Sequence, residues 1–175
     1  MHYATAERRE HLKHGLTRDP FKALVAPRPI GWITTRSVDG VVNLAPYSFF
    51  NAVSDQPPMV MFSSSGRKDS LRNIEATGEF TCSIASHDLV DAMNLSSASV
   101  ASETSEYALT GLATAPSLIV EPPRVAASPA ALECRVWKTV TLPGGEGAGG
   151  PTVVFGQVVA IYVDERVVTD GLLDT

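Results

Sequence analysis

Pro29-Ile-Gly-Trp-Ile-Thr-Thr-Arg36 followed by Val38-Asp-Gly-Val41 reads as a strand running into a tight hairpin turn, and the reading of the fold starts there. Pro27 and Pro29 hold the approach extended and forbid a helix. Ile30 to Arg36 then has the β-branched and aromatic content of a strand, and Gly40 can take the positive φ that an Asp-Gly turn demands. Strands Ile30 to Ser37 and Val41 to Leu44 are therefore expected to pair antiparallel. Within the next run, Asn43-Leu-Ala-Pro-Tyr-Ser-Phe-Phe-Asn51, Pro46 lacks a ladder donor and calls for a bend or a sheet edge.

Downstream, Met59 to Phe62 is a short apolar run of the kind found in buried strands. After Gly66 the period changes: Leu71, Ile74 and Glu75 fall at helical spacing, with Asp69 as the expected N-cap and Gly78 as the left-handed terminator. Glu79 to Ala85 alternates as a strand. His87 to Ala98 reads as a helix, Ser99 to Glu106 as a surface loop, and Leu118 to Val120 as a short strand.

Ala131 to Leu142 and Thr152 to Asp164 are the longest strand candidates, joined by a glycine-rich hairpin loop over residues 143–151. That loop precedes neither Lys-Ser/Thr nor a helix pattern, so it lacks the signature of a nucleotide cradle. The second of these strands is apolar on both faces, which requires cover on both sides and points to another subunit. Residues 1–20 form an expected N-terminal helical arm. His11 and His14 in it have ligand-pair spacing, but no third ligand stands nearby.

At 175 residues the chain has the length of a single domain with one sizeable core. No run approaches the roughly 18 apolar residues of a membrane helix, and the charged start Met1 to Glu10 has no apolar signal region, so a cytoplasmic protein is expected. Cys82 and Cys134 lie inside apolar runs and suit small buried residues better than a disulfide framework. The net charge of −5 excludes the general footprint of a nucleic-acid binder.

Within this acidic chain Arg67, Lys68 and Arg72 form a local basic knot at a helix start. Ser63, Ser64, Ser65 and Gly66 add hydroxyls and open backbone, so a small anion such as phosphate is the natural guest. Spacing alone leaves a second reading standing, in which Asp69 caps the helix and the cations point into water. The Asn43–Asn51 run likewise serves either as cover for a planar heterocycle or as a bent strand with Phe49 and Phe50 in the core.

Ala26-Pro-Arg-Pro-Ile-Gly-Trp32, Asn43-Leu-Ala-Pro-Tyr-Ser-Phe-Phe-Asn51, Gly66-Arg-Lys-Asp-Ser-Leu-Arg-Asn-Ile74 with Thr77-Gly-Glu-Phe80, and Pro122-Pro-Arg124 through Leu132-Glu-Cys134 occur in this order. Together they resemble the flavin reductase-like, FMN-binding split-barrel family, including its flavoredoxin type. The resemblance implies a mainly β fold, a six-stranded antiparallel split barrel with peripheral helices, forming a homodimer with FMN near the subunit interface. It implies that Ser63, Ser65, Arg67, Lys68 and Asp69 surround the phosphate and that Ser48, Phe49 and Asn51 line the ribityl chain. Thr34, Asn43, Leu44 and Ala45 would border the ring, with Thr34 and Asn43 as candidate donors to it. Family members often continue past a motif like Asp170-Gly-Leu-Leu-Asp174 into a basic tail, so that side of the site is expected to be reduced here.

The activity implied is hydride transfer from NADH or NADPH to the flavin, followed by delivery to an electron acceptor, with no side chain required as acid or base. The alternative is a flavoredoxin-like FMN electron carrier that takes electrons from a partner protein. A pyridoxamine-phosphate-oxidase-like enzyme would share the fold but calls for a second phosphate cluster, which the sequence does not offer.

Overall fold

The computed structural model describes residues 1–5, 9–144 and 149–174. Two single-turn helices, α1 (Glu10–Lys13) and α2 (Phe21–Leu24), precede the hairpin β1 (Gly31–Arg36) and β2 (Val42–Tyr47), whose turn places Gly40 at φ 89°. Strands β3 (Phe50–Asp55) and β4 (Pro58–Ser64) follow, then α3 (Asp69–Thr77) and β5 (Glu79–Ser83). A 3-10 turn at His87–Leu89 leads into α4 (Val90–Leu95), and α5 (Glu106–Thr110) comes next. The chain then forms the small pair β6 (Thr114–Ala115) and β7 (Arg124–Val125), and the long hairpin β8 (Ala130–Thr141) and β9 (Thr152–Val163). A last small hairpin joins β10 (Val168–Thr169) to β11 (Leu172–Leu173).

Seven strands form one antiparallel sheet in the order β2-β1-β5-β8-β9-β4-β3, one strand more than expected. The sheet curls on itself: Tyr47 on β2 meets Phe62 on β4 with ring centroids 4.6 Å apart, and Phe62 meets Phe80 of β5 edge-on at 5.5 Å. Leu71 and Ile74 of α3 close this core, where Cys82 and Cys134 lie buried as free thiols. Burial pushes the Cys82 thiol up to about 12. A second core lies on the other side of β1, where Trp32, Leu44, Tyr107 and Val125 pack against α4. Cover on both faces explains why five consecutive residues of β1 are buried.

Several expectations are refined. Pro46 sits within β2, and β2 is an edge strand, where a missing donor is tolerated. Gly78 terminates α3 at φ 74°, but the N-cap is Lys68, with Asp69 as the first helical residue and no side chain capping the helix. The N-terminal arm is helical only in the short turns α1 and α2, and His14 stacks on Tyr3. Ala6 and residues 145–148 of the glycine-rich loop lie outside the described residues. The long helix expected over His87 to Ala98 is a 3-10 turn followed by α4.

Leu118 to Val120 is not a strand. Its amides donate to the carboxylate of Glu133 on β8, Leu118 and Ile119 at 2.7 Å and Val120 at 3.3 Å, so a side chain takes the bonds a neighbouring strand would have taken. On β9, Ile161 is 62% exposed, so this single chain leaves part of the strand uncovered. A bulge between Val136 and Lys138 leaves Trp137 unpaired and 66% exposed, its ring edge-on to Phe155. Among the described residues no helix is long and apolar enough to cross a membrane, and no group of three or more His, Cys, Asp and Glu residues gathers to hold a metal.

Candidate functional site

A cleft of about 230 Å³ opens between β2, the first turn of α3 and the segment after α4. Asn43, Ala45, Pro46 and Tyr47 form one wall, Lys68, Asp69 and Ser70 a second, and residues 96–100 with Glu106 a third. The lining is about half polar, whereas the cores beneath it are apolar. Three features of it lack internal partners.

The first is the N-terminus of α3, whose N–H groups no side chain caps. The second is Lys68. Arg67 pairs with Glu75 at 2.7 Å and Arg72 with Asp69, while Lys68 forms no ion pair with a described residue. The third is the Tyr47 hydroxyl, a buried polar atom without a hydrogen-bond partner. Burial raises its pKa, and the neighbouring Ser70 and Ser64 hydroxyls work against that rise. Both serines already donate elsewhere, Ser70 to Asn43 Oδ1 at 2.7 Å and Ser64 to the Gly66 carbonyl at 3.1 Å. A cation without an ion pair among the described residues and an uncapped helix start on one cleft, with an orphaned buried hydroxyl on the Tyr47 wall, are features that suit an anionic, oxygen-rich ligand.

The third wall is organised by Glu106. Its carboxylate accepts from Asn43 Nδ2 at 2.8 and 2.9 Å and from the Leu44 amide at 2.8 Å. Burial raises its pKa, and the bonds from Leu44 and Asn43 lower it in part. Helix α5, which carries Glu106, is tied down by Ser105 Oγ donating to the Val42 carbonyl and by Tyr107 bonding Thr34 Oγ1 at 2.8 Å.

Of the residues expected at the site, Asn43, Ala45, Lys68 and Asp69 line this cleft. Thr34 and Leu44 are fully buried beneath it, Thr34 with its hydroxyl engaged by Tyr107. The Asn43 amide is spent on Glu106, so this side chain has no donor to spare. Ser48 and Phe49 form the turn between β2 and β3, where Arg28 lies 5.8 Å over the Phe49 ring and the Ser63 amide donates to the Phe49 carbonyl. Asn51 is exposed and accepts from the next amide. Ser65 and Arg67 are exposed and are not among the residues lining the cleft.

Sequence reasoning missed Tyr47, Ser70, residues 96–100 and above all Glu106. The signal for Glu106 was present: Ser105 and Gly111 bracket a short helix, and Gly111 takes φ 69°.

A curled antiparallel sheet with a half-polar cleft beside its β2 edge defines a small split-barrel protein. A family model described as the flavin reductase like domain matches residues 24–175, and the chain belongs to that family. An uncharacterized protein of Aquifex aeolicus is 34% identical over 154 residues, which cover 85% of this chain and 76% of that protein. The structure of nitrilotriacetate monooxygenase component B from Bacillus cereus superimposes with a TM-score of 0.87 at 29% identity, covering 99% of this chain and 86% of that one. That of the 2-nitrobenzoate 2-nitroreductase NbaA from Pseudomonas fluorescens does so with a TM-score of 0.82 at 27% identity, covering 99% and 83%.

Proposed function

We propose that the chain is an FMN-dependent oxidoreductase that accepts hydride from NADH or NADPH and works as a homodimer. The observation that carries this reading is the cleft itself, where Lys68, the uncapped start of α3 and the orphaned Tyr47 hydroxyl converge in a chain of the flavin reductase like family.

The residues present fit the cofactor. Lys68 and the uncapped N–H groups of α3, with Ser63 at the end of β4 and Ser65 in the turn after it, would hold its phosphate. Arg67 and Asp69, engaged by Glu75 and Arg72, frame that turn. Ser48, Phe49 and Asn51 would line the ribityl chain. The ring would lie against Asn43 and Ala45, with Thr34 and Leu44 packed beneath as support. Bound FMN supplies the hydride chemistry, and the protein's part is to bind, orient and exclude water.

A volume of about 230 Å³ falls short of the roughly 300–1,000 Å³ of pockets that bury such ligands. A second copy covering the open side would complete the enclosure, and the exposed Trp137 and Ile161 on β8 and β9 offer apolar surface for a subunit contact.

Purified protein incubated with FMN is expected to show a bound-flavin visible spectrum and to oxidise NADH or NADPH above a flavin-only blank. A bound flavin that dithionite reduces but neither nicotinamide does would instead identify an electron carrier of the flavoredoxin kind. Absence of any bound flavin would sink both readings.

A further inference from the structure

We propose that Glu106 is a positioning residue: its carboxylate holds the Asn43 side-chain amide in one orientation and so joins α5, β2 and the first turn of α3 into one rigid wall of the cleft. Its effect on ligand binding rests on the reading of this cleft as the FMN site, whereas the clamp itself rests on the hydrogen bonds alone.

These bonds all run one way. Asn73 Nδ2 on α3 donates to Thr35 Oγ1 on β1 at 3.0 Å, and Thr35 Oγ1 donates to Asn43 Oδ1 on β2 at 3.4 Å. Ser70 on α3 donates to the same Oδ1 at 2.7 Å. Asn43 Nδ2 and the Leu44 amide then donate to Glu106 on α5. A carboxylate only accepts, so Glu106 ends the relay and fixes the direction of each bond before it. With the opposite Asn43 orientation, Oδ1 would face a carboxylate, and the hydroxyl hydrogens of Ser70 and Thr35 would lose their acceptor and turn away from the NH₂.

The consequence reaches the ligand through Ser70. While Asn43 Oδ1 faces α3, the Ser70 proton is committed to it and is not offered to the neighbouring buried Tyr47 hydroxyl. A neutral amide at position 106 brings a donor against Asn43 Nδ2 or the Leu44 N–H. The Asn43 amide relieves that clash by turning over, which leaves the Ser70 hydroxyl hydrogen without its acceptor and beside Tyr47. The wall keeps its shape but loses the polarity that Glu106 imposes on Asn43 and Ser70.

The test is a polarity swap with Glu106→Gln, Asn43→Asp and the double variant, read by FMN fluorescence titration and by thermal melts of the flavin-free proteins. Glu106→Gln is expected to weaken FMN binding about tenfold, the effect of one mispaired buried donor. Asn43→Asp alone sets two carboxylates face to face and should lower Tm by roughly 10 °C. In the double variant the new carboxylate at position 43 accepts from Ser70, Thr35 and the new amide at position 106, whose oxygen accepts from Leu44.

Restoration of both Tm and FMN affinity by the swap is therefore expected, with affinity within about threefold of the parent. A double variant no more stable than Asn43→Asp, or a Glu106→Gln protein that binds FMN like the parent, overturns the proposal. If the parent itself binds no FMN, the cofactor reading falls, and the melts of the swap still decide the clamp.

Discussion

Glu106 and Glu133 are carboxylates of nearly equal burial, 5% and 4% exposed, and they serve the molecule differently because their partners differ. Glu133 accepts from three successive backbone amides, those of Leu118, Ile119 and Val120. Backbone donors cannot be turned over, so that region has one arrangement, and its product is a fixed loop. Glu106 accepts from one backbone amide and from the side chain of Asn43, which can be reversed, and Glu106 also lines an open cleft. Burial of a charge thus marks a site only where its partners are adjustable and face open volume.

The largest expected effect lies on the Glu133 side of this contrast. Glu133→Ala strips three amides of their acceptor in a half-buried loop and should cost about 3–5 kcal/mol of stability, read as a lower Tm. FMN affinity of the folded protein should stay within about twofold of the parent by fluorescence titration. A tenfold loss of affinity there would erase the distinction between the two carboxylates.

Next in size is Lys68→Ala, which removes from the cleft a cation that forms no ion pair with a described residue. FMN affinity should fall by about tenfold with Tm unchanged, because Lys68 is exposed. Arg67→Ala should cost less affinity, since its guanidinium is already engaged by Glu75. The reverse ranking in titrations of the two variants would place the anion on the other side of the turn.

The frame of this molecule could be read from local chemistry. The Asp39-Gly40 turn, the Gly78 terminator and the β8–β9 hairpin are where turn residues and strand composition put them, because each depends on a few neighbouring residues. Leu118 to Val120 misled for a physical reason: an apolar run resembles a strand, but its amides are satisfied by a carboxylate 13 to 15 residues further along the chain. Helix α5 was hidden because five residues make a poor helix on propensity, and its stability comes from the buried Tyr107 and Glu106.

At the cleft, the basic knot beside a helix start was legible from spacing. Which of its cations is engaged was not, because Glu75 lies eight residues further along and selects Arg67. The burial of Thr34 and Leu44 likewise depends on α4 and α5 arriving from later in the chain.

A smaller effect with opposite signs separates holding from binding. Tyr47→Phe deletes a buried hydroxyl that has no partner while keeping the ring against Phe62. The flavin-free protein should melt no lower than the parent and up to about 2 °C higher, because a desolvated polar atom is gone. FMN affinity should fall about threefold if that hydroxyl serves the ligand. A lower Tm with unchanged affinity would make Tyr47 part of the frame, on the Glu133 side of the contrast.

The smallest effect is a slope of stability against pH that belongs to Glu106. Burial, aided by the charge of Asp69 and opposed by the bonds from Leu44 and Asn43, raises its pKa above the ordinary 4.5. Between 4.5 and that raised value the folded chain binds more protons than the unfolded one, so stability falls as pH rises across this window. The contribution is whole below the unfolded pKa and is lost as pH climbs through the folded one. Glu106→Gln abolishes the titration, so the Tm of the parent should decline relative to that variant as pH is raised from about 4 toward neutrality. A parent that gains on the variant over the same range would mean that the hydrogen bonds to the carboxylate outweigh its burial, and the cleft carboxylate would then be held as firmly as its counterpart on β8.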